Sequence, residues 1–123
     1  MAGTSRVDAI FSVTGSAGME SMFDVIYSQS VTKWTGKRHI TLATGITDQS
    51  LIDIGSGGIT TINTFMIVSD QNISVKFGTA GSNVALTLTA LAPMLVSGIA
   101  LTALSLSNAS GNTANIDYAL AGA

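Results

Sequence analysis

A stretch of alternating apolar residues between Thr60 and Leu91 restricts what this chain can fold into. Phe65 to Val68 is apolar and largely β-branched, Ile73, Val75 and Phe77 alternate with Ser74 and Lys76, and Val84, Leu86 and Leu88 alternate with Ala85 and Thr87. A period of two gives each strand one buried and one exposed face. Ser69-Asp70-Gln71-Asn72 and Gly78 to Asn83 separate these runs with residues that favour turns. Three antiparallel strands in a meander are therefore predicted, with Phe65, Ile67, Val75, Phe77, Leu86 and Leu88 inward.

Similar runs fill the rest of the chain. Val25 to Val31 is rich in β-formers, although Met19, Met22, Phe23, Ile26 and Tyr27 also fit helical spacing; the reading here favours a strand. A turn around Gly36 precedes a strand from His39 to Thr44 with Ile40 and Leu42 inward, Gly55 to Gly58 forms a tight connection, and Ile99 to Ser107 leads through a turn at Asn108 to Gly111 into a last strand bearing Ile116, Tyr118 and Leu120. Ile46-Thr-Asp-Gln-Ser-Leu51 is echoed by Val68-Ser-Asp-Gln-Asn-Ile73. In each, the Asp carboxylate is expected to close an Asx-type turn, which gives two similar corners. Eight or nine short strands with frequent turns predict an all-β fold, an antiparallel β-sandwich of jelly-roll type. Residues 1–20, too rich in Gly and Ser to build a core, are expected to form an N-terminal arm, and residues 21–123 the sandwich domain. Val7, Ile10, Phe11 and Val13 are the candidate assembly contacts of that arm.

Charge narrows the function classes. Only 10% of the 123 residues are charged, against about 25% in an ordinary soluble domain. Ser and Thr take up about a quarter of the chain, and the net charge is -2. So little charge gives a free monomer weak colloidal protection, which favours a homo-oligomer; a carbohydrate-binding surface would have a similar composition. The absence of cysteine excludes disulfides and thiolate metal sites. Val84 to Leu106 is uncharged and long enough to span a bilayer, but its hydroxyls, Pro93, Gly98 and alternating start read as strands, so no membrane partner is expected. The first six residues have no apolar core of signal-peptide length.

No catalytic, cofactor or metal constellation emerges. His39 is the sole histidine and is read as a packed or surface residue, since zinc pairs and relays need partners that the sequence does not display. No Gly-x-Ser-x-Gly elbow or phosphate loop occurs, and Asp48, Asp53 and Asp70 lack EF-hand spacing. The expectation is that the chain is not an enzyme and needs no cofactor. Lys33, Lys37 and Arg38 flank Trp34 and form the candidate interaction surface, although three cations on an acidic chain make a weak phosphate footprint and no nucleic-acid partner is expected. Asn72-Ile-Ser74 and Asn108-Ala-Ser110 match the glycosylation pattern but are read as turns.

The order Ile40-Thr-Leu42, Gly45-Ile-Thr-Asp-Gln49, Ile54-Gly55, Thr60-Thr-Ile-Asn63, Phe65 to Val68, Ser69-Asp-Gln71, Ile73-Ser-Val-Lys-Phe77, Leu104 to Gly111 and Ala114 to Gly122 resembles small virion proteins of tailed bacteriophages. The resemblance covers residues 38–122. It implies a structural protein of the virion, made in the host cytoplasm, that acts as a head decoration or cement protein and assembles as an oligomer, with a trimer favoured and capsid or tail proteins as partners. The alternative it implies is a receptor- or glycan-binding module of a tail or fibre. Such a module would bring Trp34, Tyr27 and Tyr118 to one exposed groove.

Overall fold

The computed structural model describes residues 2–15, 18–51, 58–79 and 81–123, with the backbone alone at positions 13, 15 and 19–23. Every regular element among them is a strand: β1 (Gly3–Gly15), β2 (Gly18–Val31), β3 (Lys33–Trp34), β4 (Arg38–Leu42), β5 (Gln49–Ser50), β6 (Ile62–Ser69), β7 (Ile73–Thr79), β8 (Ser82–Leu88), β9 (Pro93–Leu101), β10 (Ala103–Ser107) and β11 (Ala114–Gly122). In one sheet β3 and β4 share an edge beside β11, followed by β6 and β9; the other runs β5-β10-β7-β8. Counted from β4, the first sheet holds strands one, eight, three and six, and the second two, seven, four and five. All pairings are antiparallel. This is the strand order of a jelly roll, so the all-β sandwich predicted from alternation is the fold of the chain.

The alternating residues close the sandwich. Phe65 lies opposite Leu120 and Ile67 opposite Tyr118 in one sheet, and Val75 lies opposite Leu106 in the other; all of these are buried. Phe65 and Phe77 meet edge to face across the core with ring centroids 5.7 Å apart, a favoured aromatic geometry. Burying each large aliphatic or aromatic side chain contributes about 1.5–3 kcal/mol. The turn after β10 is fixed by Asn108, which is buried. Its Nδ2 donates to the carbonyls of Leu42 and Asn112, each at 2.8 Å, and its Oδ1 accepts from the Ser110 amide at 3.0 Å. One side chain thus ties the β10–β11 turn to the end of β4.

Some expectations need correction. Leu86 points to the inner side but is 47% exposed, because β8 is an edge strand whose inward face extends past the cover of the opposite sheet. The two Asp-Gln corners are not alike. At the second, Ser69 Oγ accepts the Gln71 amide at 3.2 Å, while Asp70 reaches across to Asn115, accepting its backbone amide and its Nδ2, each at 2.8 Å. At the first, Asp48 has a left-handed backbone (φ 51°) and its amide donates to Ser107 Oγ. The expected connection at Gly55 to Gly58 and Asp53 lie outside the described residues, except for Gly58.

The N-terminal part is a two-stranded hairpin. β1 and β2 pair only with each other, from Gly3 opposite Val31 to Gly15 opposite Gly18, with a bulge between Phe11 and Ser12. The hairpin therefore ends at Val31, and position 20, the expected boundary between arm and sandwich, falls inside β2. Met19 to Tyr27, where helical spacing competed, is strand throughout.

Candidate functional site

Strand register builds the outer face of the first sheet. Asp117 lies opposite Val68 and His39, Ala119 opposite Met66, and Ala121 opposite Thr64 and Trp34, while Met66 lies opposite Leu95 on its other side. Residues directly opposite one another share a face. The root of the hairpin lies over one end of this face. Gly3 packs so closely on Trp34 that an added Cβ would come within 2.6 Å of Cζ3, and Tyr27 lies against Gly98 of β9, whose φ of 71° turns the strand there.

Two adjoining hollows result. One, of about 280 Å³, is lined by Ser5, Val7, Trp34, Thr64, Met66 and Leu95 among others. The other, of about 370 Å³, is lined by Lys37, Met66, Val68, Asp117, Tyr118 and Ala119. Met66 and Ala119 are common to both. Among the described residues, Thr64 Oγ1 is buried without a hydrogen-bond partner at the floor of the first. At the rim of the second, His39 Nδ1 lies 2.8 Å from Asp117 Oδ1, and Lys37 Nζ lies 3.8 Å from Asp117 Oδ2. His39 thus has the carboxylate partner that the sequence did not display, 78 residues away. Burial of Tyr118 beneath the hollow pushes its hydroxyl pKa up. No group of three or more potential metal ligands occurs among the described residues. An apolar floor with a charged rim suits the docking of another protein surface.

The sequence candidates are placed as follows. Lys33 Nζ donates to the Gly58 carbonyl at 3.0 Å, and Arg38 Nε to the Thr35 carbonyl at 3.3 Å. Trp34 and Lys37 line the two hollows, whereas Arg38 lies opposite the inward-facing Tyr118 and Lys33 opposite Gly122, so the basic segment is divided between the two sides of the sheet. On the hairpin, Val7 is half-buried at the root, Ile10 is 72% and Phe11 60% exposed, and the side chain of Val13 lies outside the described residues. Trp34, Tyr27 and Tyr118 do not converge: Tyr118 is buried in the core, and Tyr27 lies on β9. Met66, Leu95, Ala119 and Asp117 were not singled out from the sequence. Alternation marks each as outward-facing, but nothing local shows that they adjoin.

No family model matches the chain, and no curated protein matches it. A solved structure that does match is the QdtA 3,4-ketoisomerase from Thermoanaerobacterium thermosaccharolyticum, a double mutant in complex with TDP, at a TM-score of 0.44 and 8% identity over 94% of this chain and 78% of that one. The expectation of a phage head decoration or cement protein, with its tail- or fibre-module alternative, is set aside: no comparison supports a virion role, and the matched structure is described as a sugar ketoisomerase. The expectation that the chain is not an enzyme is withdrawn with it, the matched protein being described as an enzyme. Likeness at this level brings neither substrate nor catalytic residues to this chain, and jelly rolls host capsid, lectin and cupin functions alike.

Proposed function

We propose that this protein is a self-association module whose hairpin β1–β2 grips a second copy of the chain. The observation that supports this reading is the uncovered outer half of the hairpin. Its sheet-facing side begins half-buried at Ser5 and Val7, but on the same side Val25 is 39% and Phe11 60% exposed, and on the other side Ile10 and Ile26 are 72% and 64% exposed. A two-stranded hairpin alone is marginal in water, so a partner surface would stabilise this end.

Charge favours a second copy as that partner. The hairpin carries Arg6 against Asp8, Glu20 and Asp24, whereas four basic and four acidic residues after Val31 cancel; the whole net charge of -2 therefore resides on the hairpin. Of the basic residues, Lys37 lines the hollow floored by Met66, Val68 and Ala119. An acidic hairpin that exposes Ile10, Phe11, Val25 and Ile26 complements that apolar floor and its lysine on a neighbour. The test is light scattering of the full chain beside a Phe11→Ser, Ile26→Ser double variant. The variant's mass is expected to fall below that of the parent with an unchanged circular dichroism spectrum. Equal masses at the same concentration would count against the reading.

A further inference from the structure

We infer that β8 is a second, independent interface, where two copies join edge to edge through antiparallel β8–β8 pairing about a two-fold axis at Ala85. Edge strands expose unpaired backbone donors and acceptors and are normally blunted by charge, proline, shortness or cover. The other edges of the sandwich show such devices. Lys33 and Arg38 lie on the β3/β4 edge, β5 has two residues, and β9 starts at Pro93, turns at Gly98 and has Tyr27 of the hairpin against it. β8 has seven residues, Ser82–Leu88, with no charge and no proline, and among the described residues pairs only with β7.

The same strand identifies its occupant. Val84 and Leu86 project to the inner side, as Leu88 does, yet they are 55% and 47% exposed while Leu88 is buried. An isologous contact requires the surface to complement itself under a two-fold rotation. With Ala85 on the axis, Val84 of each copy falls opposite Leu86 of the other, and Asn83 opposite Thr87, so both exposed aliphatics gain an apolar neighbour. Centring on Leu86 would instead set Val84 against Leu88, which its own core already holds. Electrostatics permits the pairing. Lys76 lies beside Ala85 on β7, and its Nζ is 3.8 Å from Asp48 Oδ1. The two Lys76 residues would stand three strand spacings apart, about 14 Å, beyond the screening length of about 8 Å at physiological salt. The product is one continuous eight-stranded sheet, β5-β10-β7-β8 extended by its symmetry mate.

The test uses the full chain, which contains no cysteine. In this register Ala85→Cys brings two Cβ atoms to about 5 Å, close to the span of a disulfide. Mild oxidation is expected to convert most of that variant to a covalent dimer, while Thr113→Cys, exposed between β10 and β11 and not on the β8 edge, remains uncross-linked. Adding Leu86→Lys to Ala85→Cys places a charge on the free edge and is expected to lower the cross-linking yield at least tenfold. Adding Phe11→Ser and Ile26→Ser instead should leave the yield unchanged, which separates this interface from the hairpin contact. Ala85→Cys that cross-links no better than Thr113→Cys would overturn the inference, as would cross-linking that survives Leu86→Lys. Pairing of β8 with a foreign strand, or with a neighbour's hairpin, would give the first of these results.

Discussion

The hairpin and the sandwich are built from the same kind of strand, yet one keeps its apolar residues in water and the other hides them. Phe65 and Ile67 on β6 are fully buried, whereas Ile10 and Phe11 on β1 are among the most exposed apolar side chains of the chain. Alternation is present in both. What differs is the layer opposite: β6 faces the sheet of β10 and β7, while the hairpin of β1 and β2 meets the first sheet only near its root among the described residues. An apolar face without a second layer marks a surface awaiting a partner.

The sharpest way to break this comparison is to truncate one aromatic in each region. Phe65→Ala is expected to cost about 4 kcal/mol of folding stability in urea denaturation, the range for a buried aromatic whose site cannot collapse. A cost under 1 kcal/mol would show that the core is not where the register places it. Next in size is Asn108→Ala. It leaves the Leu42 and Asn112 carbonyls without their side-chain donor in a buried turn, and a loss of about 2 kcal/mol is expected. Thermal melts of Asn108→Ala and Asn108→Asp would separate loss of that donor from loss of volume.

The inward residues of β6, β7 and β11 could be read from sequence, because alternation depends only on neighbours along the chain. Leu86 shows the limit of that signal: periodicity assigns a residue to a face but not its strand to the middle or the edge of a sheet. Asp117 and His39 show another. Their contact depends on β4 pairing with β11 across most of the chain, and no local pattern records it. Met19 to Tyr27 satisfied two periods at once, and pairing with β1 decided between them. The Asp-Gln echo misled in a related way, since Asp70 spends its carboxylate on Asn115 and leaves its own turn to Ser69.

Acid sharpens the comparison. Hydrogen bonds from the side chain and backbone of Asn115 hold the Asp70 carboxyl below its ordinary pKa. A carboxyl whose pKa is lower folded than unfolded stabilises the fold above its unfolded pKa, and that contribution is lost as pH falls through the folded value. Asp70→Asn should therefore be less stable than the parent at neutral pH, with the gap closing as pH drops into and below the ordinary carboxylate range. On the hairpin, Asp8 meets Arg6 in an ion pair exposed on both sides, a kind of contact that contributes little. Asp8→Asn should match the parent's stability at neutral pH. Parallel stability curves for Asp70→Asn and the parent down to strongly acid pH would remove Asp70 from the account.

The smallest expected effect on stability comes from the most conspicuous side chains. Ile10→Ser and Phe11→Ser remove apolar groups that are 72% and 60% exposed, so little burial is lost within one chain, and each is expected to change the unfolding free energy by less than about 0.5 kcal/mol at concentrations where the protein is dispersed. Both positions nevertheless lie on the outer half of the hairpin, one on each face, where an associated copy would grip it. Association couples to stability by mass action, so a contact made only between folded copies raises the melting temperature of the parent with increasing protein concentration. The parent's melting temperature should therefore rise with concentration, and that of Phe11→Ser should rise less. If Phe11→Ser destabilised the dilute chain as strongly as a core truncation, the hairpin would be packed within its own molecule, and the contrast between the two regions would disappear.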